Sequence, residues 1–329
     1  MRGWWQDLTD LVLPAECGGC GRPRTVLCPE CRAALSGVAP SRVRPVPEPS
    51  GLPVVHAAAR YSDEVRAVLL AHKERGALAL AAPLGAALAG AVRAGLRQGA
   101  RDGLDPVTDR AGAHLFDGVR RGGTGSLAEP LLLVPVPSAR AAVRARGHDP
   151  AKRIALAAAG ELRRGGLAAR VVGVVRQGRS VADQAGLNSR QRLENLAGAL
   201  AVAPGGARLL RAGHVVLVDD LMTTGASLAE AARAVRAALA VPAGDRGTWG
   251  RSAGAYGRGP GPVSYDEGAT AVYTAVTRES RGERRSGSRE VEAGRRPVGP
   301  GAAGSDRAGD PVRAAVVAAS PDSFEINRN

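Results

Sequence analysis

Two adjacent carboxylates, Asp219 and Asp220, stand between an apolar run and a turn rich in hydroxyl groups. The run at residues 215–218 is typical of a buried parallel strand, and residues 228–239 are typical of a helix. In an open α/β sheet, ligands bind beyond the carboxyl ends of the strands, and a turn at a helix N-terminus offers N–H groups to a phosphate. Two carboxylates there suit the vicinal hydroxyls of a sugar, with a divalent cation nearby to offset the charge. The alternative is an ordinary βα unit with an acidic strand end.

The whole string from Val215 to Ser227 resembles the 5-phosphoribosyl-1-pyrophosphate (PRPP) signature of type I phosphoribosyltransferases. This resemblance implies that the two aspartates hold the ribose hydroxyls and that the turn after them binds the 5′-phosphate. The residues expected to bind PRPP are Asp219, Asp220, Thr223, Thr224, Gly225, Ala226 and Ser227.

Four cysteines near the N-terminus form two Cys-x-x-Cys pairs, which are Cys17 with Cys20 and Cys28 with Cys31. Each pair can chelate a metal from a tight turn, and four thiolates suit tetrahedral zinc. The alternatives are a redox pair or structural thiols, but the closeness of the two pairs favours zinc. Four thiolates leave no open coordination position, so we expect the zinc to be structural. It would supply much of the stability of a small unit at residues 1–40.

The amino-acid composition constrains the core, the partners and the location of the protein. Of 329 residues, 44% are hydrophobic and only 3% aromatic, so the core must be built from Ala, Val and Leu. The net charge of +14 favours phosphate-rich partners, although charge alone does not indicate a specific nucleic-acid role. No uncharged run of 18 apolar residues and no signal-peptide core is present, so we expect no membrane span and a cytoplasmic location.

Strand-like and helix-like segments alternate along the chain, which predicts an α/β fold with a doubly wound, mostly parallel sheet. The predicted strands are residues 54–61, 131–134, 171–175, 200–202, 215–218 and 312–319. The predicted helices are residues 64–72, 77–96 with an interruption at Pro83, 150–164, 190–196 and 228–239. His56 and His72 are expected at the surface or at sheet edges rather than as ligands.

Four pieces of sequence together resemble the ComF family of phosphoribosyltransferase-like proteins. They are the double Cys-x-x-Cys unit, the segment from Tyr61 and Arg66 to Lys73-x-x-Gly76, the strand end at residues 133–137 with its following arginines, and the PRPP signature. The polar stretch from Gln184 to Asn195 also fits. The region around Arg176 to Arg190 matches the mobile hood that closes over the site in the wider fold.

The resemblance implies a type I phosphoribosyltransferase-like domain at residues 54–240 plus 312–329, after the zinc-binding unit. A pyrophosphate loop is implied at Pro137, Ser138, Ala139 and Arg140. Arg140 would stabilise the leaving pyrophosphate as a catalytic residue with Asp219 and Asp220, assisted by Arg144 or Arg146. An exposed loop is expected at residues 97–129 and a disordered low-complexity insertion at residues 241–311, a functional module being the alternative. At residues 147–150 the chain has Gly-His-Asp-Pro where many relatives carry Gly-Phe-Asn-Gln.

The resulting hypothesis is Mg²⁺-dependent transfer of phosphoribosyl from PRPP to an unidentified acceptor, linked through the family to natural competence and DNA uptake. The rival hypothesis is a non-enzymatic competence protein that holds single-stranded DNA or partner proteins through the phosphate turn and a basic surface. Aromatic residues are not interleaved with the basic ones, as they are in typical single-strand binders.

Overall fold

The computed structural model describes residues 16–101, 129–179, 195–241 and 310–327. The N-terminal stretch before residue 16, most of the predicted hood, and residues 242–309 of the predicted insertion lie outside this part. The side chain of Arg140 also lies outside it. All described residues belong to one compact unit of the chain.

Within these residues, eight strands form the framework of the fold. They are β1 (Ser41–Val43), β2 (Val55–Arg60), β3 (Leu131–Pro135), β4 (Ala169–Val171), β5 (Val175–Gln177), β6 (Leu200–Val202), β7 (His214–Met222) and β8 (Val312–Ala319). Six of them form one sheet in the order β1-β2-β8-β7-β3-β4, in which only the β1–β2 pair is antiparallel. β5 and β6 form a separate antiparallel ribbon.

Seven α-helices accompany the strands in the same part of the chain. They are α1 (Pro29–Ser36), α2 (Asp63–Lys73), α3 (Ala81–Arg101), α4 (Arg140–Arg146), α5 (Pro150–Arg164), α6 (Gly206–Leu210) and α7 (Ala226–Ala240). Two 3₁₀ helices, Leu78–Leu80 and Pro321–Asn327, complete the described elements. The α/β class and the mostly parallel sheet predicted from the sequence are confirmed.

The sheet is covered on both faces because its central strands are apolar on both. Val216 and Val218 pack with residues of α2, α3 and α5, whereas Val215 and Leu217 pack with residues of α7. The largest fully buried side chains are Leu, Ile and Met, as the low aromatic content requires. A strand buried on both faces reads as a continuous apolar run, which is what residues 215–218 show.

The cysteine unit shares this core. Cys17, Leu27 and Leu35 belong to the same buried cluster as Val68 of α2 and Leu84 of α3. The proline-rich stretch that follows contains β1, which pairs with β2 and extends the sheet. Residues 16–43 are therefore packed onto the α/β unit.

Several predicted boundaries differ from the structure. β7 continues through both aspartates to Met222, because its pairing with β8 continues as far as Ala319. α3 runs to Arg101, so the stretch predicted as a loop at residues 97–129 begins as helix, and residues 102–128 lie outside the described part. Pro83 does not interrupt α3, since it lies in the first turn, where no intrahelical N–H bond is lost.

The prediction that His56 and His72 lie at the surface is wrong. His56 is 3% exposed and His72 is fully buried. His56 is enclosed because β1 covers one side of β2 and α3 covers its face. His72 lies in the last turn of α2, on the side that faces the core.

One helical segment within the described residues, Leu78–Ala100, is long and apolar enough to cross a membrane by length and composition. Its most apolar window has a mean hydropathy of 1.5 and is half buried inside the protein. Core helices of globular proteins have the same properties.

Candidate functional site

The predicted ligand-binding segments meet at one edge of the sheet. β3 and β7 are parallel neighbours, with Pro135 opposite Val218 and Pro130 accepting from His214 at the other end. The pairing is extended by Val136, whose N–H donates to the carbonyl of Val218. The loop at residues 137–139 and the turn after β7 therefore leave the sheet side by side, at its carboxyl edge.

The turn after β7 leads directly into the N-terminus of α7, a position that favours an anion. Gly225 adopts φ 73°, and a Cβ there would come within 3.1 Å of Leu52, so glycine is required. The N–H of Ala226 donates to the hydroxyl of Thr224 at 3.5 Å. α7 then begins at Ala226, where the first helical N–H groups have no intrahelical partner and the helix dipole is positive.

A small cleft of about 40 Å³ is formed by this turn. It is lined by Asp219, Leu221, Met222, Thr223, Thr224, Gly225, Ala226, Ser227 and Leu228. Six of the seven residues expected to bind PRPP are thus brought together, and Asp220 is the one left out. The N–H groups and hydroxyls of the turn suit a phosphate, which is the size of group that this cleft can hold, and the carboxylate suits a neighbouring hydroxyl.

The side chains of the two aspartates have different surroundings, because successive residues of a strand point to opposite faces of the sheet. The Asp219 side chain lines the cleft, and its Oδ1 accepts a hydrogen bond of 2.8 Å from the N–H of Asp220. The Asp220 side chain is buried on the other face and pairs with Lys73, whose Nζ lies 2.9 Å from Oδ2. Lys73 is the last residue of α2, so this ion pair ties α2 to the aspartate strand.

Burial alone would lower the pKa of Lys73, but the charge of Asp220 and the hydrogen bond to it outweigh that effect. The pKa of Lys73 therefore lies above its ordinary value, and the residue is cationic at neutral pH. Its positive charge offsets part of the negative charge that two adjacent carboxylates place at the strand end.

Replacing Lys73 by methionine is expected to lower the free energy of unfolding by about 1–3 kcal/mol, because the buried Asp220 carboxylate loses its partner. Lys152, the other lysine of the chain, is exposed on α5 and provides the matched control. Urea denaturation should show Lys152→Met within about 0.5 kcal/mol of the parent. Adding Asp220→Asn to Lys73→Met should restore part of the loss; no recovery in the double variant would contradict the pairing.

Asp219 is the more perturbed of the two carboxylates. Its burial, and next the neighbouring charge of Asp220, raise its pKa well above the ordinary value. The folded protein thus favours the protonated form of Asp219, and ionisation of this group costs stability. A cation or ligand hydroxyl at the cleft would relieve that cost.

This raised pKa predicts a specific pH dependence. The stabilising contribution of protonated Asp219 is complete below the unfolded-state pKa of about 3.9 and is lost as pH rises through the folded-state pKa. In that window the parent should lose about 1.4 kcal/mol per pH unit through this group, whereas Asp219→Asn should not. The variant is accordingly expected to be more stable than the parent at pH 7.

Thermal unfolding from pH 4 to pH 8 measures this difference. Asp322→Asn is the control, because Asp322 is exposed in the first turn of the C-terminal 3₁₀ helix. Parallel stability profiles for the parent and Asp219→Asn would contradict the raised pKa.

The loop at residues 137–139 borders a larger cavity of about 540 Å³. It is lined by Pro137, Ser138, Val143, Arg144, Asp149, Val175, Arg176 and Gln177. Two arginines, Arg144 from α4 and Arg176 from β5, therefore face the same space as the predicted pyrophosphate loop. Guanidinium groups placed in this way suit a phosphate-containing ligand.

The ribbon that carries Arg176 is fixed to α7. Glu230 of α7 accepts a hydrogen bond of 3.0 Å from the N–H of Leu200 in β6. Arg233, one turn further on, pairs with Glu230 and donates to the carbonyl of Leu200 at 2.9 Å. The ribbon that carries Arg176 and the turn after β7 are thus both attached to α7.

Arg146 is engaged elsewhere. Its guanidinium makes two hydrogen bonds of 2.8 Å to the carboxylate of Glu74, the residue after Lys73. His148 approaches the same segment, with its Nε2 3.2 Å from the carbonyl of His72. The C-terminal end of α2 therefore contacts both β7 and α4. Arg146 makes the second of these contacts through its ion pair with Glu74.

The four cysteines form a cluster that could hold a metal such as zinc. Their Sγ atoms all lie within 4.8 Å of one another, and none is in a disulfide. Tetrahedral zinc with bonds of about 2.3 Å would hold its sulfurs about 3.8 Å apart, so only a small contraction is needed. Cys17, Cys28 and Cys31 are buried and Cys20 is exposed.

Backbone N–H groups donate hydrogen bonds to the cysteine sulfurs, which stabilises the thiolate form. The N–H of Cys28 donates to Sγ of Cys17 at 3.3 Å, and the N–H of Cys31 donates to Sγ of Cys28 at 3.5 Å. Burial would raise the pKa of Cys17, but backbone hydrogen bonds outweigh it and lower this pKa to about 6. Burial and the neighbouring thiols instead raise the pKa of Cys31, so a bound cation would be needed to ionise all four.

Sequence reasoning did not assign an individual role to Lys73 or Glu74, and it placed Arg176 only at the start of the predicted hood. The sequence does distinguish Lys73, because it is one of only two lysines in an arginine-rich chain and lies in a segment that carries the family resemblance. Its partner Asp220 lies 147 residues further along the chain, so the pairing required the fold. Arg176 lies in strand β5 and lines the cavity beside the 137–139 loop, a position that the sequence did not indicate.

Comparison with known proteins adds no relative. Neither the models of known protein families nor the curated proteins include a match to this chain.

Proposed function

We propose that this chain is a ComF-like, PRPP-binding phosphoribosyltransferase with a structural zinc site. The observation that carries the proposal is the cleft formed by Asp219 and the turn at residues 223–227, at the end of a central parallel strand. The loop at residues 137–139 leaves the neighbouring strand beside it, with a basic cavity next to that loop.

The parts of PRPP match these groups in chemistry. The 5′-phosphate suits the N–H groups and hydroxyls of the turn, and a ribose hydroxyl suits the carboxylate of Asp219. The pyrophosphate suits the cavity that Ser138, Arg144 and Arg176 line. Asp220 acts through its ion pair, because with Lys73 it fixes the strand end that presents Asp219.

Phosphoribosyl transfer breaks the bond between C1 of the ribose and the pyrophosphate through an oxocarbenium-like state. The protein has to orient C1 towards the acceptor and to stabilise charge on the departing pyrophosphate. Arg144 and Arg176 are placed for the second task, and neither task needs a covalent nucleophile. Mg²⁺ bound with PRPP would neutralise further charge on the pyrophosphate oxygens. Asp219 is the carboxylate that faces the cleft and could bind it, directly or through water.

Release of pyrophosphate tests the transferase directly. The full chain is incubated with PRPP, Mg²⁺ and a panel of purine and pyrimidine bases and simple amines, and pyrophosphate is measured with a coupled assay. We expect at least one acceptor to raise release above the acceptor-free rate, and Asp219→Ala to remove the increase. If PRPP binds and no acceptor accelerates release, the transferase proposal fails and a PRPP-binding role remains.

A further inference from the structure

A second basic cavity lies at the opposite edge of the sheet from the phosphate turn. Its volume is about 360 Å³, and it is lined by Pro40, Ser41, Arg42, His56, Ala94, Arg97 and Gln98. These residues come from the start of β2, from β1, and from the C-terminal part of α3. β2 begins at Val55 and β8 at Val312, so this is the amino edge of the parallel strands.

His56 is the buried polar residue of this cavity. It is 3% exposed, and its Nε2 donates a hydrogen bond of 2.8 Å to Oε1 of Gln98. Burial, followed by the charges of Arg313, Arg42 and Arg97, lowers the pKa of His56. The imidazole is thus neutral at pH 7 and lies in the positive field of three guanidinium groups, one each from β8, β1 and α3.

Two glycines of α3 make room for this arrangement. A Cβ at Gly95 would lie 3.1 Å from Nδ1 of His56, and a Cβ at Gly99 would clash with the guanidinium of Arg313. Glycine is unfavourable inside a helix, yet these two stand one turn apart on the face that borders the cavity. Arg313 is held against this face, with its Nη1 3.5 Å from the carbonyl of Gly95.

Arg97 is the cation most available to a ligand. It is exposed, it lines the cavity, and it makes no hydrogen bond or ion pair with any residue in the described part of the chain. Arg42 lines the same cavity from the edge strand. A guanidinium offers paired N–H donors that match the oxygens of a phosphate. A phosphate dianion also balances the charge of several nearby cations better than a singly charged carboxylate does.

We propose that this cavity binds the phosphate group of a small molecule, inorganic phosphate or a phosphate monoester, through Arg42 and Arg97 beside the His56–Gln98 pair. Its volume lies within the range of small-molecule sites. The site is separate from the proposed PRPP site, which lies at the other edge of the sheet, and does not depend on it.

The test follows the ring proton resonances of the histidines, of which the chain has 5, in the full-length protein. The His56 resonance is assigned with His56→Asn, and inorganic phosphate is added at constant pH and constant ionic strength. We expect a saturable shift of the His56 signal, with an affinity weakened at least about tenfold in Arg97→Ala. Arg208→Ala is the matched control, because Arg208 is an exposed helical arginine outside the cavity whose side chain makes no hydrogen bond or ion pair with the described residues.

One further variant and three further ligands establish which site and which ligand produce the shift. Thr224→Val should leave the His56 titration unchanged, because the phosphate turn is a different site. Acetate producing the same shift as phosphate, or Arg97→Ala titrating like Arg208→Ala, would overturn the proposal. Ribose 5-phosphate should shift His56 as phosphate does; a response to a short oligothymidylate alone would overturn the assignment to a small molecule.

Discussion

Replacing Cys31 by serine is expected to abolish stoichiometric metal binding and to lower the free energy of unfolding by more than about 4 kcal/mol. Cys31 is 1% exposed and contributes one of four sulfurs that lie within 4.8 Å of one another. Serine is a poor ligand for zinc and would leave a buried hydroxyl among thiols. Elemental analysis of the purified chain and urea denaturation measure the two effects.

The large effect on stability follows from where the cluster lies. Gly19 approaches Cys31 and Val68 so closely that a Cβ would lie 3.3 Å from the valine. Arg75, just beyond α2, donates to the carbonyl of Gly18 at 3.3 Å. Loss of the metal should therefore loosen the packing of α2, which carries Lys73, as well as the cysteine turns.

A neighbouring substitution provides the control for the metal site. Arg32→Ala changes an exposed residue next to Cys31 on α1 and should retain both the metal and the stability. Retention of one metal ion per chain by Cys31→Ser, or an unchanged denaturation midpoint after metal removal, would contradict a structural metal in this cluster.

Replacing Asp219 by alanine is expected to weaken PRPP binding by about 100-fold or more. The physical reason is the loss of a charged hydrogen-bond acceptor for the ribose, which contributes about 1.5–3 kcal/mol, together with the loss of a ligand for the accompanying cation. The same substitution is expected to change the stability of the fold little, because it removes a buried carboxylate with a raised pKa at the loss of one hydrogen bond from the N–H of Asp220. Reduced binding with unchanged or increased stability separates a site residue from a structural one.

Asp220 provides the comparison for Asp219. Its side chain faces Lys73 on the other side of the sheet, so Asp220→Asn should lower PRPP affinity less than Asp219→Ala. Isothermal calorimetry with Mg²⁺ present measures both affinities. A larger loss in Asp220→Asn than in Asp219→Ala would contradict the assignment of the two roles.

Much of the fold could be predicted from the sequence, because the spacing of the apolar residues matches the positions that are buried in the structure. β8 and α5 have the predicted bounds, and the apolar run at residues 215–218 lies in the central strand. The end of β7 could not be predicted, since the two aspartates resemble a loop in composition. Pairing with β8 keeps them in the strand and sends their side chains to opposite faces.

The contacts that were not predicted are between residues far apart in sequence. The partners of Lys73 and Arg146 depend on how α2 meets β7 and α4. The burial of His56 depends on β1, an edge strand inside a proline-rich stretch for which no strand is predicted. In a chain with so many arginines, residue type alone could not single out Arg97, Arg144 or Arg176.

The central claim is that the carboxyl edge of the sheet is a PRPP site, and calorimetric titration of the full chain with PRPP in the presence of Mg²⁺ tests it most directly. We predict saturable binding of one PRPP per chain, tighter than that of ribose 5-phosphate or pyrophosphate alone, because PRPP engages the turn, Asp219 and the basic cavity together. The absence of saturable binding, or an affinity for PRPP no greater than for either of its parts, would contradict the account.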